Sequence, residues 1–414
     1  MHAKSLSNIG LAAVLMTGTA FAAEIPPGHD QVMGQQFHIT AQGLPEPGAT
    51  PSADRPPTTI PRGDHLPFVP EGFKVQLVVQ GLDAPRRLLV RDDGPIFFTQ
   101  QQLGRILKLQ DIDDDGAADK GGLVMEGALN PFGIATIPTG ELKGDLLLAD
   151  QDAVYRLPLQ TRGFNFFQVT PNGAFGDPIG HLAHPLALDP NTADIYVGSG
   201  SMSNVAEGEP PMKATILKFS PDGKSQSIFA VGLRNVTGMA FQPGSNSLYV
   251  VNMERDGMGD ELVPDFLTKV EQGDNFGWPY QYIGGHVQPE FQNKGMKLAA
   301  AKVPDVLFEA HSAPLDLAFI PDSWPQKYRG SAVVALHGSW NAAGPRGYKL
   351  VLVPFKDGKP DGTYENFMTG FWVSGTGPAE VWGRPAALAF DHDGSLLVAD
   401  DLGNTLWRVI PPKS

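Results

Sequence analysis

The chain has 414 residues, of which 42% are hydrophobic, so it can bury one large core or two average ones. Its formal net charge of −14 disfavours nucleic acid and anionic membranes as partners, because a negative surface repels phosphates. The chain contains no cysteine, which excludes disulfides and covalent c-type haem attachment, whereas its 48 glycines and 37 prolines indicate many turns.

The first 22 residues have the pattern of a secretory signal peptide. Lys4 supplies a positive charge, residues 9–16 form an apolar run, and Ala20 and Ala22 frame a small-residue cleavage site. The apolar run is shorter than the roughly 18 residues that a membrane-spanning helix needs. We therefore predict a cleaved signal at residues 1–22 and a periplasmic or secreted protein without stable membrane insertion. An uncleaved membrane anchor is the alternative.

Residues 23–67 form a proline-rich segment with few apolar side chains, and nine of these residues are prolines. Such a composition favours extended conformations and supplies too little apolar surface for a core of its own. We predict a linker, or an extended arm that lies against the domain formed by residues 68–414.

From residue 73 onward, short apolar strands and turns recur in six units. Each unit has an apolar strand, a turn, a second strand that often ends in a polar residue, and a third strand. The units occupy residues 88–109, 132–159, 186–219, 238 onward, 315–355 and 385–410. Repeated units of three or four strands predict an all-β fold, a six-bladed β-propeller.

The two ends of this repeat array complement each other. Residues 73–79 are a strand-like run with no partner before it, and the last unit lacks a strand after residue 410. Pairing of the N-terminal strand with the last blade removes an open sheet edge, which otherwise invites aggregation. We predict that this pairing closes the propeller. A β-sandwich made from the same strands is the alternative.

Polar residues precede the first strand of the units. In a propeller these strands start around a central channel, so the preceding side chains converge there. The positions are Arg86, Arg87, Asn130, His181, His184, Arg234, Asn235, His311, Ser312 and Arg384. Buried charges need partners, and an anionic cofactor or substrate would supply them. For each residue singly, an ion pair at a strand end is the alternative.

Two histidines are candidates for chemistry. His181 is of the residue type that acts as a general base, because an imidazole of near-neutral pKa can take a proton from a hydroxyl group. His337 ends a second strand near Trp340, whose ring could pack on a flat ligand or a sugar. For both histidines a structural hydrogen-bonding role is the alternative.

The segment that begins at Asp111 is rich in carboxylates. Asp111, Asp113 and Asp115 alternate before Gly116, which is how a Ca²⁺ loop begins, because this cation takes several oxygen ligands around a tight turn. The twelfth position is Gly122 instead of glutamate, so the segment is not a full EF-hand. A second Ca²⁺ site and a solvated acidic turn are both compatible with this pattern.

Five motifs are spread over most of the units: Gly232-Leu233-Arg234-Asn235, Asn252 with Glu254-Arg255-Asp256, Asn275-Phe276-Gly277-Trp278-Pro279, His337-Gly338-Ser339-Trp340-Asn341 and Gly383-Arg384-Pro385. Together they resemble the sorbosone dehydrogenase-like branch of the soluble quinoprotein sugar dehydrogenases. The resemblance extends from about residue 36 to the end of the sequence, and its spread makes it more specific than any single motif.

The resemblance implies a six-bladed propeller that binds pyrroloquinoline quinone (PQQ) and Ca²⁺ at the channel mouth and oxidises sugars. His181 falls at the catalytic base, which takes the substrate hydroxyl proton while hydride passes to the quinone. Arg234 and Asn235 match the pair that polarises the quinone oxygen, and Arg384 matches an arginine that faces the quinone carboxylates. Electrons would then pass to an external acceptor, a quinone or a cytochrome.

The same resemblance places metal and further cofactor contacts. Arg255 and Asp256 match positions whose backbone carbonyls hold the catalytic Ca²⁺. Ser201 and His337 stand at cofactor positions where glucose-oxidising members have aspartate and lysine, and Ala386 replaces a second arginine. The implied activity is PQQ-dependent oxidation of an aldose or a sugar-derived aldehyde, sorbosone-like or glucose-like. A Ca²⁺-dependent lactonase-type hydrolase and a non-catalytic carbohydrate-binding propeller are the alternatives.

Overall fold

The computed structural model describes residues 31–91, 94–111, 113, 115–158 and 166–413, so the predicted signal peptide at residues 1–22 lies outside the described residues. The described chain consists of strands, turns and loops, with three short 3-10 helices at Ala41–Gly43, Gln101–Leu103 and Pro289–Phe291. No helix in these ranges is long and apolar enough to cross a membrane. The prediction of an all-β chain is confirmed.

Six antiparallel sheets follow one another along the chain. Sheet 1 has strands Arg87–Val90, Ile96–Gln100, Arg105–Gln110 and Lys120–Glu126. Sheet 2 has strands Ile134–Thr136, Leu146–Ala149, Val154–Leu157 and Phe167–Gln168. Sheet 3 has strands Leu186–Leu188, Ile195–Ser199, Thr215–Phe219 and Gln226–Val231.

The second half of the chain forms the other three sheets. Sheet 4 has strands Val236–Phe241, Leu248–Asn252, Phe266–Val270 and Val306–Leu307. Sheet 5 has strands Pro314–Phe319, Ala332–Leu336, Lys349–Val353 and Tyr364–Met368, with Gln36–Phe37 at its outer edge. Sheet 6 has strands Pro385–Phe390, Leu396–Asp400, Thr405–Ile410 and Lys74–Gln80.

Short strands outside these sheets form three small pairings. Thr58–Thr59 pairs in parallel with Glu380–Val381, which also pairs with Trp372–Ser374. The other two pairings join Gln281–Tyr282 to His286–Val287 and Phe355–Lys356 to Lys359–Pro360.

The fourth strand of sheet 6 comes from the N-terminal part of the chain. Lys74–Gln80 pairs antiparallel with Thr405–Ile410, and Leu77 lies opposite Trp407. This is the pairing that the sequence predicts between the N-terminal strand and the last repeat unit. It satisfies the backbone groups at the edge of the last strand and ties the two ends of the repeat array together.

The hydrophobic core of the described chain is divided into six clusters, and each cluster lies between two sheets. The alternation of side chains along each strand produces this arrangement. In sheet 4, Leu248 and Val250 face the cluster shared with sheet 3, whereas Tyr249 and Val251 face the cluster shared with sheet 5. Because both faces are buried, the strand is a continuous apolar run in the sequence.

The first strands of the six sheets lie side by side. Each one contacts the first strand of the next sheet, and the first strand of sheet 6 contacts that of sheet 1. Arg87, which begins sheet 1, forms an ion pair with Asp316 of sheet 5 and donates to the carbonyl oxygen of Thr237 in sheet 4. The starts of first strands from three sheets therefore meet around one guanidinium.

Candidate functional site

The predicted site residues lie at one edge of the sheets. In an antiparallel sheet, the start of the first strand and the end of the second strand share an edge. His181, Arg234 and Arg384 precede the first strands of sheets 3, 4 and 6. Ser201 and His337 follow the second strands of sheets 3 and 5. We call this edge of the sheets the rim.

His181 is held in one tautomer by Ser201. Its Nδ1 lies 3.0 Å from the Ser201 carbonyl oxygen, which can only accept, so Nδ1 is assigned the proton and Nε2 the lone pair. The Ser201 hydroxyl lies 3.1 Å from the same nitrogen and donates to the Ser203 carbonyl oxygen at 2.6 Å. Burial, reinforced by the positive charge of Arg234, lowers the pKa of His181 to about 4. His181 is therefore a neutral imidazole at neutral pH.

Arg234 is a fixed cation beside this histidine, and its side chain is buried. Its Nε donates to the Asn204 carbonyl oxygen at 3.1 Å, and its Nη2 donates to Asn204 Oδ1 at 3.0 Å. Its Nη1 donates to the Glu254 carbonyl oxygen at 2.7 Å. A guanidinium carries five N–H groups, so these three bonds leave two N–H groups for other partners. The nearby Asp256 Oδ2 lies 3.9 Å from Nη2.

Asn235 carries a buried amide oxygen that has no hydrogen-bond partner among the described residues. Its Nδ2 has a 3.8 Å contact with the sulfur of Met253. A Cβ added to Gly200 would lie 3.0 Å from Asn235 Oδ1 and 2.5 Å from His181 Cβ, so this glycine gives the two side chains room to lie together. Buried amides almost always have partners, and this one indicates that a polar ligand group faces Asn235.

Arg255 and Asp256 lie in the loop that follows the second strand of sheet 4. The guanidinium of Arg255 donates to Gln288 at 3.2 Å and to both carboxylate oxygens of Glu290 at 2.8 Å. The Asp256 carbonyl oxygen accepts from Asn204 Nδ2 at 3.0 Å and from Arg255 Nε at 3.1 Å. A carbonyl oxygen has two lone pairs, so in this geometry the Asp256 carbonyl does not fit a Ca²⁺ ligand.

The carboxylate of Asp256 joins this loop to sheet 5. It accepts from Asn341 Nδ2 at 2.6 Å and lies 3.6 Å from His311 Nδ1. Burial alone would raise the pKa of Asp256, but His311, Arg234 and Asn341 together lower it. Asp256 is therefore an ionised group that links the loops of two neighbouring sheets.

A second group at the rim surrounds His337. Its Nε2 donates to Asp401 Oδ1 at 2.7 Å, and Arg86 forms an ion pair with the other oxygen of Asp401. Arg384 donates from Nε to the His337 carbonyl oxygen at 2.9 Å and from Nη2 to the Gly338 carbonyl oxygen. Burial, followed by the charge of Arg384, lowers the pKa of His337 to about 4. Arg86 is thus paired with the Asp401 carboxylate, whereas Arg384 donates to two backbone carbonyl oxygens, so the positive charge of Arg384 suits an anionic ligand.

Asp111, Asp113 and Asp115 lie away from the rim, between the third and fourth strands of sheet 1. One ligand oxygen from each lies within 4.8 Å of the others. The backbone N–H of Gly116 donates to Asp111 Oδ2 at 2.8 Å, as in a tight acidic turn. The structure therefore separates this cluster from the residues around His181 and His337.

Known proteins share parts of this sequence and its fold. Residues 269–410 match the TrAA12-like family model. The chain is 32% identical over 233 residues to an uncharacterized protein of Borreliella burgdorferi, and this alignment covers 55% of this chain and 60% of that protein. It is 26% identical over 342 residues to the pyrroloquinoline quinone-dependent pyranose dehydrogenase of Coprinopsis cinerea, and this alignment covers 69% of this chain and 44% of that protein.

A solved structure has the same fold. The holo form of the pyranose dehydrogenase PQQ domain from Coprinopsis cinerea superposes with a TM-score of 0.68 at 18% identity. The superposition covers 84% of this chain and 98% of that domain. The resemblance to the quinoprotein sugar dehydrogenases is confirmed. The matched region spans only about half the length of the curated relatives, 60% and 44% respectively.

Two residues of the candidate site were not identified from the sequence. Asp401 directly follows the second strand of sheet 6, which is the repeat position that His337 occupies in sheet 5. Aligning the units on that position would have identified Asp401. Asn204 bonds to both Arg234 and Asp256, but it lies in an irregular loop, and no sequence pattern marks it.

Proposed function

We propose that this protein is a PQQ-dependent dehydrogenase that oxidises an aldose or a sugar-derived aldehyde. One observation carries the proposal. The rim places a neutral His181, whose Nε2 has no partner among the described residues, beside the buried amide of Asn235, whose oxygen also has none. The TrAA12-like match and the relative named as a PQQ-dependent pyranose dehydrogenase support the same activity.

We also propose that the six sheets are the blades of a closed propeller. Hydrophobic clusters fill the spaces between all consecutive sheets, including the space between sheet 6 and sheet 1. In a β-sandwich, by contrast, the core is one layer between two facing sheets. The ring of contacts among the first strands supports the propeller over that alternative.

The residues at the rim fit PQQ as a ligand. The Asn235 amide offers a donor and an acceptor, Arg234 keeps two N–H donors, and Arg384 keeps three, which suits the oxygens and carboxylates of the quinone. His337 would contact the ligand from sheet 5. When bound, PQQ supplies a two-electron oxidant.

In this proposal His181, Arg234 and Ser201 take the roles of proton acceptor, charge stabiliser and positioning residue. His181 accepts the proton of the substrate hydroxyl at Nε2, and Arg234 stabilises the negative charge that develops on oxygen. Ser201 is fully buried and its polar atoms contact His181 and Ser203. We therefore assign Ser201 to the orientation of His181 instead of direct contact with the cofactor.

No step of the reaction is assigned to Ca²⁺. Binding of Ca²⁺ by the backbone carbonyls of Arg255 and Asp256 stays a prediction. It requires that the hydrogen bonds from Asn204 and Arg255 to the Asp256 carbonyl oxygen break. The loop of Asp111, Asp113 and Asp115 is a separate predicted cation site. Export to the periplasm or the medium and electron transfer to an external quinone or cytochrome are also predictions.

The alternative of a lactonase-type hydrolase has less support. Such an enzyme needs a metal held by carboxylates in the channel. In the part of the chain that the structure describes, the group of three metal-type ligands is Asp111, Asp113 and Asp115, which lies away from the rim. A non-catalytic carbohydrate-binding role would not account for a neutral His181 that is held in one tautomer.

The proposal is tested by sugar-dependent dye reduction with the full chain reconstituted with PQQ and Ca²⁺. The wild-type protein should reduce the dye with at least one aldose or sugar aldehyde of a panel. His181→Gln should lower kcat by roughly 100-fold or more, the range for loss of a general base, and should still bind PQQ. His392→Gln, at an exposed position, is the matched control and should keep full activity. No activity with any sugar, or full activity of His181→Gln, would contradict the proposal.

A further inference from the structure

The proline-rich arm crosses the rim at residues 48–55. The backbone N–H of Gly48 donates to the Met258 carbonyl oxygen at 2.8 Å, and that of Arg55 donates to the Trp340 carbonyl oxygen at 2.8 Å. Met258 lies in the loop that follows the second strand of sheet 4, and Trp340 lies in the corresponding loop of sheet 5. This short segment therefore bridges the two loops that carry Asp256 and its partner from sheet 5.

Two hydroxyl groups of the arm bind backbone amides of the sheet 4 loop. Thr50 Oγ1 accepts from the Asp260 N–H at 2.7 Å, and Ser52 Oγ accepts from the Gly259 N–H at 3.2 Å. Gly259 has a φ of +108°, and a Cβ at this position would lie 2.6 Å from the Thr50 carbonyl oxygen. The close approach of the arm thus requires glycine at position 259.

These amides are connected to the candidate site by a short series of contacts. The Gly259 carbonyl oxygen accepts from His311 Nε2 at 3.0 Å, and His311 Nδ1 lies 3.6 Å from Asp256 Oδ1. The neighbouring Asp260 binds Arg346 Nη2 at 2.9 Å and is 8% exposed. The position of the loop that carries Asp256 is therefore determined in part by the arm.

We propose that Thr50 and Ser52 are positioning residues that hold this loop in the conformation that binds the cofactor. We call the two hydrogen bonds from the loop to Thr50 and Ser52 the clamp. The effect of the clamp on PQQ rests on the proposed function, but the clamp itself is a property of the protein alone. A loop held by preformed bonds does not have to be ordered when the ligand binds. If the clamp is removed, the binding-competent fraction falls, and the apparent affinity falls by the same factor.

Three variants of the full chain, with a fourth in reserve, separate the loss of these hydrogen bonds from a general effect on folding. Thr50→Val removes the accepting oxygen and keeps the shape of the side chain, whereas Thr50→Ser keeps the oxygen. Thr59→Val is the matched control, because Thr59 belongs to the same arm, is exposed, and has no side-chain hydrogen bond among the described residues. Ser52→Ala, at an exposed position, serves if Thr50→Val does not fold.

The first readout is amide hydrogen exchange in the cofactor-free protein. In Thr50→Val the peptide that contains Gly259 and Asp260 should exchange about tenfold faster, because a backbone amide loses its partner. Thr50→Ser and Thr59→Val should exchange as the wild type does. Equal exchange in Thr50→Val and Thr59→Val would overturn the clamp.

The second readout is the dissociation constant of PQQ. Thr50→Val should bind PQQ about tenfold more weakly than Thr59→Val, with a smaller change in kcat than in KM or in cofactor affinity. Equal PQQ affinity of the two variants would overturn the positioning role. If the wild-type protein does not bind PQQ at all, the proposed function fails, and the exchange experiment still decides on the clamp.

Discussion

The pH dependence of the reaction is determined by His181 if this residue is the base. An unperturbed histidine has a pKa of 6.5, whereas burial and Arg234 lower the pKa of His181 to about 4. This difference corresponds to about 3 kcal/mol in favour of the neutral imidazole. At pH 7 only about one molecule in a thousand would carry a protonated His181, compared with about a quarter for an unperturbed histidine.

A profile of kcat/KM from pH 3.5 to pH 8 measures this difference, because kcat/KM reports ionisations of the free enzyme. Activity should be half-maximal near pH 4, and about 90% of it should remain at pH 5, where an unperturbed base would retain about 3%. The assay is dye reduction by the PQQ-loaded enzyme, with circular dichroism at each pH to show that the protein stays folded.

The variant His181→Gln provides the control for this profile. Its residual activity should show no decline near pH 4, because the ionising group is absent. A half-maximal pH near 6.5 in the wild type would refute the assigned environment of His181. An unchanged acid limb in His181→Gln would refute its role as the base.

Three further predictions concern stability. The folded pKa of His184 is lowered by burial to about 4, below the unfolded value of 6.5, so the unfolded chain binds more protons between these pH values and stability falls as the pH falls. In urea unfolding, the free energy of unfolding should fall between pH 7 and pH 4.5 by about 2.5 kcal/mol less in His184→Gln than in the wild type. An equal fall in both proteins would be inconsistent with this pKa. Asp401→Asn removes the largely buried carboxylate that pairs with Arg86 and should lower the free energy of unfolding by about 3 kcal/mol. The exposed Asp322→Asn should change this free energy by less than about 0.5 kcal/mol, and equal effects of the two substitutions would argue against the ion-pair cluster. Phe73→Ala removes a ring that packs against Trp324 and Tyr328, in the first loop of sheet 5, and against Phe367 in its fourth strand. It should lower the free energy of unfolding by about 3–4 kcal/mol in the same assay, and a loss below about 1 kcal/mol would mean that these rings are loosely packed.

The repeat units could be predicted because their inner strands carry a strong signal. Strands such as Leu248–Asn252 are buried on both faces and end at turns, so their apolar runs stand out in the sequence. The outermost strands carry a weaker signal. Val306–Leu307 and Phe167–Gln168 have two residues each, and their pairing depends on neighbouring strands that form elsewhere in the chain.

The candidate site was only partly predictable. The residue types at the strand ends identified His181, Arg234 and Arg384, because those positions repeat from unit to unit. The hydrogen-bond partners of the site residues could not be deduced, since Arg234 binds Asn204 and His337 binds Asp401 across long loops or between sheets. For Arg86 and Arg87 the structure shows strand-end ion pairs, with Asp401 and Asp316 as the partners. Whether such an arginine pairs with the protein or is left for a ligand depends on its neighbours in three dimensions, which no local sequence pattern encodes.

The arm shows a similar limit. Its prolines predicted an extended segment at residues 23–67, but composition alone does not distinguish a free linker from a bound arm. The described part of the arm is held by short strand pairings, such as that of Gln36–Phe37 with sheet 5, and by single hydrogen bonds, such as that between Thr50 and Asp260. Hydroxyl groups of this kind are common in loops and leave no distinctive sequence pattern.

PQQ is proposed to bind at the rim beside a neutral His181, in contact with the amide oxygen of Asn235, which has no partner among the described residues. The most direct measurement is a spectroscopic titration of the cofactor-free protein with PQQ, followed by addition of sugar, for the wild type and for Asn235→Ala. We predict saturable binding and a sugar-dependent change in the quinone absorption band for the wild type. Binding should be about tenfold weaker in Asn235→Ala, because a buried hydrogen bond to the ligand is lost. No saturable binding by the wild type, or identical binding by Asn235→Ala, would contradict this proposal.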